Sequence, residues 1–577
     1  MPNSHLHLLR SGSRPVKREF RTLISSLHHN LRMHRFLITI IASSSISLGV
    51  ETPYYDARVS GREILTPASV AEPRITGAPI FGVRPGKPIR FRVSAIGAKP
   101  ITFSALGLPA GVVLDPVSGW ITGRAPAEAG DLAVTLSARN AMGEAKRQLT
   151  LRVDETIALT PPMGWNSWYV HSEGVSDKAI REIAGAMESK GLTDHGWTYL
   201  NIDDCWMGLR DPKTQAIQPN AKFPDMKALV GFVNGKGLKL GIYSTPWMST
   251  YAGYIGGSAP NEAGDYSAYF LPESERQNPH QVFGRYPNGI AKGLAIIGPF
   301  WRVDRDAKQF ADWGIDYVKY DWKEWTLEKK GDIHKVNRSK SDIKTEALTK
   351  RVFGDFRAQD RDIIVSLSPN HSREEDKFVP KYCNLWRLTG DIEAKWECII
   401  APFGMADRLA LTKPGHYGDL DMLQIGPLGK PNRAEVVFKP SPLTPAEQYV
   451  QVSLWCILTQ PLLLSCNVPT MDDFDLNLVT NDDVLAVNQD PLVKQGYRVA
   501  NNNKEWEIWA KDLANGGKAV ALFNLSNKEQ VISVSRSQIG LTGIVRDLWR
   551  QKDIGPMGDN FSAMVSPHGV ALVKVIP

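Results

Sequence analysis

Apolar and polar residues follow two different periodic patterns (rhythms) along this chain, and each pattern predicts a different architecture. From about residue 158 to residue 490, short apolar runs alternate with segments whose apolar residues recur every three or four positions. Such an alternation predicts strands and amphipathic helices in turn, which assemble as a parallel sheet with helical crossovers. Eight strands are predicted, near residues 159–166, 198–204, 239–244, 316–321, 363–368, 385–390, 420–425 and 461–466. Eight strand–helix units close into a (β/α)8 TIM barrel, which we assign to residues 156–492.

Three helices of the predicted barrel have recognisable ends. Ser176 is the predicted N-cap of a helix that reaches Lys190, because a serine side chain accepts a hydrogen bond from the first helical turn. Pro224 is the predicted start of a second helix, which stops before Gly237. A third helical pattern ends at Gly314, a residue type that commonly terminates helices. These boundaries indicate where the loops between the strands lie.

One connection in the predicted barrel is abnormally long. Residues 248–303, which follow the third strand, contain no strong helical pattern and are rich in Gly and Tyr. Loops of this length are usually functional or disordered. We interpret the segment as an insertion that forms a wall or a lid at the end of the barrel where the strands finish, with a peripheral excursion as the alternative.

The second rhythm occurs on both sides of the predicted barrel, where short β-like runs are separated by Pro and Gly turns. About seven such runs in residues 70–155 predict a small β-sandwich. Residues 108–115 and 118–123 within it resemble an immunoglobulin-like module. This Ig-like module either binds carbohydrate or is a spacer that braces the barrel, because a fold alone does not define a function. Similar β-like runs return in residues 495–577.

The composition is that of a globular protein whose positive charge is concentrated at one end. Hydrophobic residues make up 42% and charged residues 22% of the chain, so there is no signature of disorder. The length of 577 residues favours several domains over one. The net charge is +7, but residues 1–40 alone contain seven Lys or Arg and a single Glu. We therefore expect no basic groove elsewhere and no nucleic-acid partner.

The charged N-terminus belongs to a pattern that predicts a signal peptide. Basic residues up to Arg35 precede the apolar run 36–42, and small residues follow it up to Ser47. We assign residues 1–50 to a signal peptide with an upstream extension, and Met33 is an alternative start; an amphipathic or disordered tail is the competing interpretation. Because the apolar run is too short to span a membrane, we expect a secreted or periplasmic protein with no membrane span in the mature chain.

Cysteine usage and short motifs argue against a disulfide framework and a metal site. Five cysteines stand at positions 205, 383, 398, 456 and 466, an odd number that is too sparse for a disulfide-based fold. Scarce cysteines favour a bacterial periplasm slightly over the external medium. The chain has no CxxC pair and no HExxH motif, so we predict neither a metal nor a cofactor.

Two predicted strands each end in an aspartate. Asp321 closes the apolar run 315–322, and Asp391 closes the run that starts at Leu385. The ends of parallel barrel strands share one face, where active sites lie, and a pair of carboxylates there is what a glycoside hydrolase needs. Lys319 stands two positions before Asp321, so both side chains face the same side, and its ammonium would favour the ionised carboxylate. Singly, each aspartate is equally well explained as a helix cap or a turn residue.

The segments around both aspartates resemble the α-galactosidases of glycoside hydrolase family 27. The matching segments are 160–168, 201–206, 317–321, 386–392, 419–423 and 488–491, and the resemblance extends over roughly residues 160–577. It implies a retaining exo-glycosidase that removes terminal α-D-galactosyl residues from an oligo- or polysaccharide, with Asp321 as nucleophile and Asp391 as acid/base. It also implies that residues 495–577 form an antiparallel β-sandwich. A retaining pair of carboxyl groups lies roughly 5–5.5 Å apart.

The same resemblance assigns sugar-binding roles to eight residues, each of which also has an ordinary structural explanation such as core packing, a turn or a surface ion pair. They are Trp168 as an aromatic wall, Asp203 and Asp204 at the 4- and 6-hydroxyls, Tyr243 and Lys319 beside the sugar, Ser368 at the 2-substituent, and Arg387 and Asp421 on the 2-hydroxyl side.

Several alternatives remain open at this stage. Family members often carry Glu or Trp in the loop of Ser368, and a small residue there leaves room for an N-acetyl group, so an α-N-acetylgalactosaminidase is the second candidate. A β-L-arabinopyranosidase is the third, although the presence of Asp204 counts against it. A non-enzymatic cell-surface sugar-binding protein would be expected to lack one of the two aspartates, and a structural adhesin would need repeats of the Ig-like module. The oligomeric state stays open.

Overall fold

The computed structural model describes residues 54–285, 294, 296–321, 342–368, 373–429 and 437–577, without the side chains of residues 342–345. The predicted signal peptide at residues 1–50, together with Met33, lies outside the described residues, as does the middle of the long insertion. Within the described part, no helix is both long enough and apolar enough to cross a membrane.

Eight parallel strands form the centre of the molecule. In chain order they are Met163–Asn166, Tyr199–Asn201, Lys239–Ser244, Tyr317–Asp321, Ile364–Ser368, Leu385–Arg387, Tyr417–Asp419 and Leu462–Leu464. The first seven pair with their sequence neighbours, and the first also pairs with the eighth. An isolated parallel bridge connects Leu423, in the segment after the seventh strand, to Leu464 of the eighth. The predicted (β/α)8 barrel is therefore confirmed, and below we number these strands one to eight.

Several predicted strands are longer than the observed ones or displaced from them: the first and second were expected at residues 159–166 and 198–204 but lie at Met163–Asn166 and Tyr199–Asn201. The seventh strand was expected at residues 420–425 but lies at Tyr417–Asp419, and the sixth ends at Arg387 rather than at residue 390. In the seventh, Asp421 has a φ of 73°, a left-handed angle that an extended strand does not contain. Apolar residues continue beyond this point because the segment is buried, not because it is a strand. Asp391 consequently lies on a loop four residues beyond its strand.

Helices surround the barrel strands. Those of the barrel region are Trp168–His171, Asp177–Ser189, Met226–Gly235, Val303–Trp313, Asp342–Arg357, Val379–Tyr382, Trp396–Ile400, Ala406–Leu409, Pro445–Ile457, Asp473–Val479 and Asp482–Asn488. The Ser176 side chain accepts a hydrogen bond from the Ala179 amide, which confirms the predicted cap. The next helix begins at Met226, not at Pro224, because Asp225 is its N-cap. Gly314, with a φ of 95°, ends the helix before strand four as predicted.

Residues 74–153 form the N-terminal β-sandwich. Its strands are Arg74–Thr76, Ile80–Val83, Pro88–Arg92, Ser94–Ile96, Thr102–Leu106, Val113–Leu114, Trp120–Arg124, Gly130–Asn140 and Gly143–Val153. They make a four-stranded, a three-stranded and a two-stranded sheet around an apolar core of their own. The sandwich lies against the end of the barrel where the strands begin, which we call the floor.

Ion pairs and hydrogen bonds join the Ig-like module to the floor. Arg84 binds Asp362 before strand five and is buried in the contact. Arg90 lies 3.3 Å from Asp316 before strand four. The Trp120 indole donates to the carbonyl of Asn234 before strand three. The module therefore contacts the loops that lead into three neighbouring barrel strands, at the end opposite to Asp321.

A second β-sandwich follows the barrel. Its strands are Tyr497–Asn502, Trp506–Asp512, Lys518–Asn524, Gln530–Ser535, Ile544–Asp547, Lys552–Pro556, Asn560–Val565 and Val570–Ile576, with a short helix at Arg536–Ile539. Six of them form one antiparallel sheet. The other two pair with each other, and Tyr55–Asp56 adds to them in parallel as a third strand. This N-terminal strap was not predicted, and it ties the start of the described chain to the C-terminal domain.

Three short two-stranded sheets lie in the loops at the end of the barrel where the strands finish. They are Met207–Arg210 with Ile217–Pro219, Ser258–Ala259 with Phe300–Trp301, and Pro427–Leu428 with Lys439–Pro440. The second pair joins the two ends of the long insertion. A fully buried ion pair between Arg210 and Asp306, with nitrogen and oxygen 2.7 Å apart, fastens this region to the helix before strand four.

Candidate active site

Asp321 lies at the end of strand four among residues from strands three and five. The pairing of strands three and four places Tyr243 beside Lys319, and the pairing of strands four and five places Asp321 beside Ser368. The Tyr243 hydroxyl donates a hydrogen bond of 3.0 Å to Oδ2 of Asp321. The other oxygen, Oδ1, is buried and has no hydrogen-bond partner within the described residues. One carboxylate oxygen is therefore fixed in position and the other is unengaged.

Asp203 forms the second part of the site, immediately after strand two. Its Oδ2 accepts hydrogen bonds from Lys319 Nζ at 2.8 Å and from Asn166 Nδ2 at 2.9 Å. Its Oδ1 accepts the backbone N–H of Asp204 at 2.9 Å. The Lys319 ammonium also lies 5.6 Å from the centre of the Tyr243 ring. Strands one to four thus contribute one polar cluster at a single end of the barrel.

The electrostatics of Asp321 differ from the expectation based on Lys319 alone. Burial raises the pKa of Asp321, while the charge of Lys319 lowers it and the charges of Asp203 and Asp391 raise it, with a net pKa of about 6. The lysine acts in the expected direction, but loss of hydration is the larger effect. Burial lowers the pKa of Lys319, and Asp203 and Asp321 raise it by more, so the ammonium keeps its proton.

A second polar cluster lies across the site, around Asp421. Its Oδ2 accepts hydrogen bonds from Arg387 at 2.9 Å, from the Tyr169 hydroxyl at 3.0 Å and from the Ile392 amide at 2.9 Å. Arg387 also contacts Oδ1 of Asp391 at 3.3 Å. The Asp391 side chain is 74% exposed, in contrast to the buried Arg387 and Asp421. The charge of Asp391 raises the pKa of Asp321, so the two clusters interact electrostatically.

Asp204 has different surroundings from its neighbour Asp203. Its oxygens accept hydrogen bonds from the amides of Cys205 and Ala252, at 2.6 and 2.9 Å, and from the side chain of Thr250. Burial raises the pKa of Asp204 to about 7, although these donors lower it. Because a carboxylate has about four acceptor positions, the long insertion already occupies half of the capacity of Asp204. The described part of the insertion therefore lies against the site.

The structure brings all the predicted site residues to one end of the barrel. Trp168 is half-buried on the short helix after strand one, and Ser368 is buried at the end of strand five. Three further residues contribute that were not proposed as site residues: Asn166 and Tyr169 donate to Asp203 and Asp421, and Asp419 accepts the Asp421 amide at 2.8 Å. All three stand within or next to the motifs already singled out. Their position beside those motifs was the only feature of the sequence that could have indicated their part in the site.

The cysteines and the potential metal ligands do not assemble into a further centre. All five cysteines lie in the described residues and carry no disulfide bond. Across the described ranges, no group of three or more His, Cys, Asp or Glu side chains is arranged to hold a metal ion. What the site offers chemically is a pair of carboxylates, the buried Asp321 and the exposed Asp391, together with the two polar clusters around Asp203 and Asp421.

Comparison with known families identifies this constellation. The family model described as Alpha galactosidase A matches residues 160–268 and 285–490, which is more than half of the chain. The chain belongs to this α-galactosidase family. It is accordingly a glycoside hydrolase. A model for the α-galactosidase C-terminal β-sandwich domain matches residues 503–575, and an Ig-domain model matches residues 72–154.

Individual members of the α-galactosidase family and solved structures agree with this. An α-galactosidase of Oryza sativa is 30% identical over 450 residues, covering 77% of this chain and 91% of its own. Human α-N-acetylgalactosaminidase is 26% identical over 456 residues, covering 74% of this chain and 94% of its own. The crystal structure of a Bacteroides fragilis protein assigned as an α-galactosidase has a TM-score of 0.72 and 26% identity, covering 89% of this chain and 98% of its own.

Proposed function

We propose that this protein hydrolyses terminal α-D-galactosyl residues with retention of configuration, using Asp321 as nucleophile and Asp391 as acid/base. The observation that carries the proposal is that Oδ1 of Asp321 has no hydrogen-bond partner among the described residues. This oxygen belongs to a carboxylate that Tyr243 orients through the other oxygen, and an ammonium on the same strand stabilises its charge. A nucleophile requires an oriented oxygen that no other group occupies.

In the first step, Oδ1 of Asp321 attacks the anomeric carbon and the bond from that carbon to the leaving oxygen breaks. Asp391 transfers its proton to the leaving oxygen, so the departing alcohol is neutral. In the second step, Asp391 accepts a proton from water, the water oxygen bonds to the anomeric carbon, and the ester to Asp321 breaks. The exposed position of Asp391 fits both steps, because the leaving group departs into solvent and the attacking water arrives from it.

Galactose recognition follows from the groups beside the nucleophile. Asp203 and Lys319 together present an acceptor and a donor next to Asp321, which suits a hydroxyl group that both donates and accepts. The Arg387–Asp421 pair supplies the same combination on the other side. Sites that pair a buried donor and acceptor with one hydroxyl reject sugars that lack it, because the buried groups then stay unpaired.

The acetamido sugar is a second candidate, and one observation favours it. Ser368 lies beside Asp321 in the strand ladder and has a small side chain, so the neighbourhood of the 2-substituent is not filled by a large residue of strand five. β-L-Arabinopyranose lacks the hydroxymethyl group and so has no 6-hydroxyl to bind. Asp204, the residue assigned to that hydroxyl, already accepts hydrogen bonds from Thr250, Cys205 and Ala252. Both sugars therefore belong in the substrate panel.

We further propose that the protein is exported by the apolar segment 36–42 and acts on glycans in the periplasm or outside the cell. The support is the charged, apolar and small-residue order of the N-terminal sequence. N-terminal sequencing of the protein from a cell-envelope or medium fraction tests this: cleavage near residue 50 is expected, and an intact N-terminus in the cytoplasm would contradict it.

The test of the activity uses purified protein and three aryl glycosides: the α-galactoside, the α-N-acetylgalactosaminide and the β-L-arabinopyranoside. We expect the highest kcat/KM for the α-galactoside, and NMR of the first product formed should show the α anomer, as double displacement requires. A preference for the acetamido sugar would transfer the proposal to the second candidate.

The nucleophile is identified separately with azide. In the Asp321→Gly variant, added azide should restore turnover and give the β-glycosyl azide, because the external anion attacks opposite to the leaving group. In Asp391→Gly, azide should give the α-glycosyl azide instead. A β-anomer as first product of the unaltered enzyme, or exchanged azide products, would contradict the assigned roles.

A further inference from the structure

A cavity of about 110 Å³ lies between the Ig-like module and the floor of the barrel. Phe81 and Phe91 line it from the module, and Tyr199, Lys239 and Asp316 line it from the starts of barrel strands two, three and four. The volume accommodates about seven to ten water-sized positions, which is comparable with a sugar ring and its hydroxyl groups. This cavity is at the opposite end of strand three from Tyr243, about 13 Å along the strand axis.

Two largely buried charged groups face this cavity, Lys239 and Asp316. Lys239 is 6% exposed, and its ammonium lies against aromatic rings rather than against a carboxylate. Asp316 is 5% exposed, and while its Oδ1 binds Arg361 at 2.6 Å, its Oδ2 is buried and unpartnered. Buried polar groups rarely stay unpartnered, because each costs about 1–3 kcal/mol without compensation. A ligand group that accepts a hydrogen bond from the Lys239 ammonium and donates one to the Asp316 carboxylate would therefore fit this cavity.

Aromatic rings from both domains enclose the same ammonium. Lys239 Nζ lies 5.3 Å from the centre of the Phe81 ring and 5.4 Å from that of Tyr199. Phe81 also contacts Phe91, with ring centres 5.2 Å apart. Phe81 and Phe91 are half-buried, so the cavity opens toward solvent along the module. Flat apolar faces beside paired donors and acceptors are the elements that recognise the C–H and O–H groups of a sugar.

The charges around the cavity favour a neutral ligand. Its lining contains two cationic side chains, Arg92 and Lys239, and two carboxylates, Asp316 and Asp362. Arg84 binds Asp362, Arg361 and Arg90 contact Asp316, and Arg92 lies 3.8 Å from Asp194, so each of these carboxylates already has a guanidinium partner. A cation would be repelled by the lysine, and an anion without a proton could not donate a hydrogen bond to Oδ2 of Asp316. A hydroxyl group can accept a hydrogen bond from Lys239 and donate one to Asp316.

A second cavity of about 190 Å³ adjoins the first along the same interface. Both are lined by Thr76, Gly77 and Gln489. In the second, Arg74 and Arg147 each have a buried Nε without a hydrogen-bond partner among the described groups. The polar interface therefore extends beyond the space of a single sugar ring, in the direction that a second ring would take.

We propose that the floor cavity, bounded by Phe81, Tyr199, Lys239 and Asp316, is a second carbohydrate site that binds a neutral sugar unit away from the catalytic end. The site requires both domains, because the module supplies the aromatic wall and the barrel supplies the charged groups. It gives the Ig-like module a part in glycan binding as well as in bracing. Neither Asp321 nor Asp391 takes part in it.

The test is calorimetric titration of the full protein with D-galactose, D-glucose and D-mannose. At least one of them should bind at the floor with an affinity that Lys239→Met weakens at least about tenfold, since a hydrogen bond to a charged group is lost. Ala78→Phe, which fills the cavity from the module, should abolish the same binding event. Lys227→Met, an exposed lysine on the preceding helix, is the matched control and should leave it unchanged.

The Asp203→Asn variant distinguishes sugar binding at the catalytic end from binding at the floor. It should lose the binding at the catalytic end and keep the binding at the floor. Turnover of an aryl α-galactoside by Lys239→Met should stay within about twofold of the unaltered enzyme, because the floor takes no part in the chemistry. Equal sugar binding by the unaltered protein, Lys239→Met and Ala78→Phe would overturn the proposal. So would crystals soaked in each sugar that show only water between Phe81 and Tyr199.

Discussion

The two ends of barrel strands three and four carry the same kinds of residues in different surroundings. At the floor, Lys239 begins strand three and Asp316 precedes strand four. At the catalytic end, Lys319 and Asp321 finish strand four. Each aspartate is buried with one unpartnered oxygen, and each has a lysine nearby. An aspartate next to a lysine at a strand end therefore does not by itself identify the catalytic group.

The difference lies in what compensates the charge. Asp316 has two guanidinium groups beside it, Arg361 of the barrel at 2.6 Å and Arg90 of the Ig-like module at 3.3 Å, and Arg90 ties the loop to the module. Asp321 has a neutral hydroxyl from Tyr243 and an ammonium that it shares with Asp203. At the floor the carboxylate serves an interface, and at the catalytic end its charge is left available for reaction.

The largest expected effect separates these two carboxylates directly. Asp321→Ala should lower kcat/KM for an aryl α-galactoside at least about 10³-fold, because the covalent intermediate cannot form. Asp316→Ala should change kcat/KM by less than about threefold while lowering the melting temperature, since two half-buried guanidinium groups lose their carboxylate partner. Steady-state kinetics and thermal unfolding of both variants measure this. Similar loss of activity in both would mean that the floor is part of the catalytic machinery.

Asp391 provides the next test, because it is the exposed member of the catalytic pair. Asp391→Ala should lower kcat about 10²–10⁴-fold on a substrate with an alkyl leaving group. The loss should be much smaller on a dinitrophenyl galactoside, whose leaving group needs no proton. Comparing the two substrates checks the role. An equal loss on both would contradict an acid function and indicate a structural one.

At the floor, the buried ion pair between Arg84 and Asp362 should matter for stability and not for catalysis. Arg84→Ala should lower the free energy of unfolding by about 1.5–3 kcal/mol, because the half-buried Asp362 loses its charged partner and keeps only the hydrogen bond from the residue-84 backbone amide. Arg124→Ala removes a guanidinium from an exposed pair with Asp360 and should cost much less, because solvent screens that pair. Denaturant unfolding measures both; equal costs would show that the module is loosely attached.

The pKa of Asp321 predicts how activity depends on pH. The nucleophile must be ionised, so kcat/KM should fall about tenfold per pH unit below a pKa of about 6, and be independent of this group above it. Lys319 lowers the pKa of Asp321, so Lys319→Met should move this acidic limb to higher pH. The measurement is kcat/KM from pH 4 to pH 8. A limb near pH 4 would mean that burial of Asp321 is relieved in solution.

The smallest expected effect concerns the insertion. Thr250→Val removes one hydrogen bond to Asp204 and should raise KM for the α-galactoside about 2- to 12-fold, the equivalent of one hydrogen bond. The β-L-arabinopyranoside, which lacks the hydroxymethyl group, should be affected less. Ser249→Ala in the same segment is the control, because Ser249 bonds only to a backbone carbonyl. No change with either sugar would place Asp204 outside the sugar contacts.

Much of the catalytic end was predictable from local sequence. Period and capping residues predicted the eight strands and the helix at Ser176, because strands and helices are set by side-chain spacing and by hydrogen bonds between near neighbours. The aspartates at strand ends and the motif resemblance then indicated which end of the barrel is catalytic. Residues that share one motif, such as Asn166 and Tyr169, reach the site through adjacency.

What the sequence by itself determined is therefore the architecture and the chemical inventory: a barrel between two sandwiches, and two carboxylates at one end. Only the tertiary structure decided how each group behaves. Whether Asp321 titrates near pH 4 or pH 6 depends on burial by distant residues, and whether Asp204 is free depends on an insertion about fifty positions away. The strap at Tyr55–Asp56 and the seating of the Ig-like module on the floor likewise arise from long-range contacts, which periodicity along the chain does not encode.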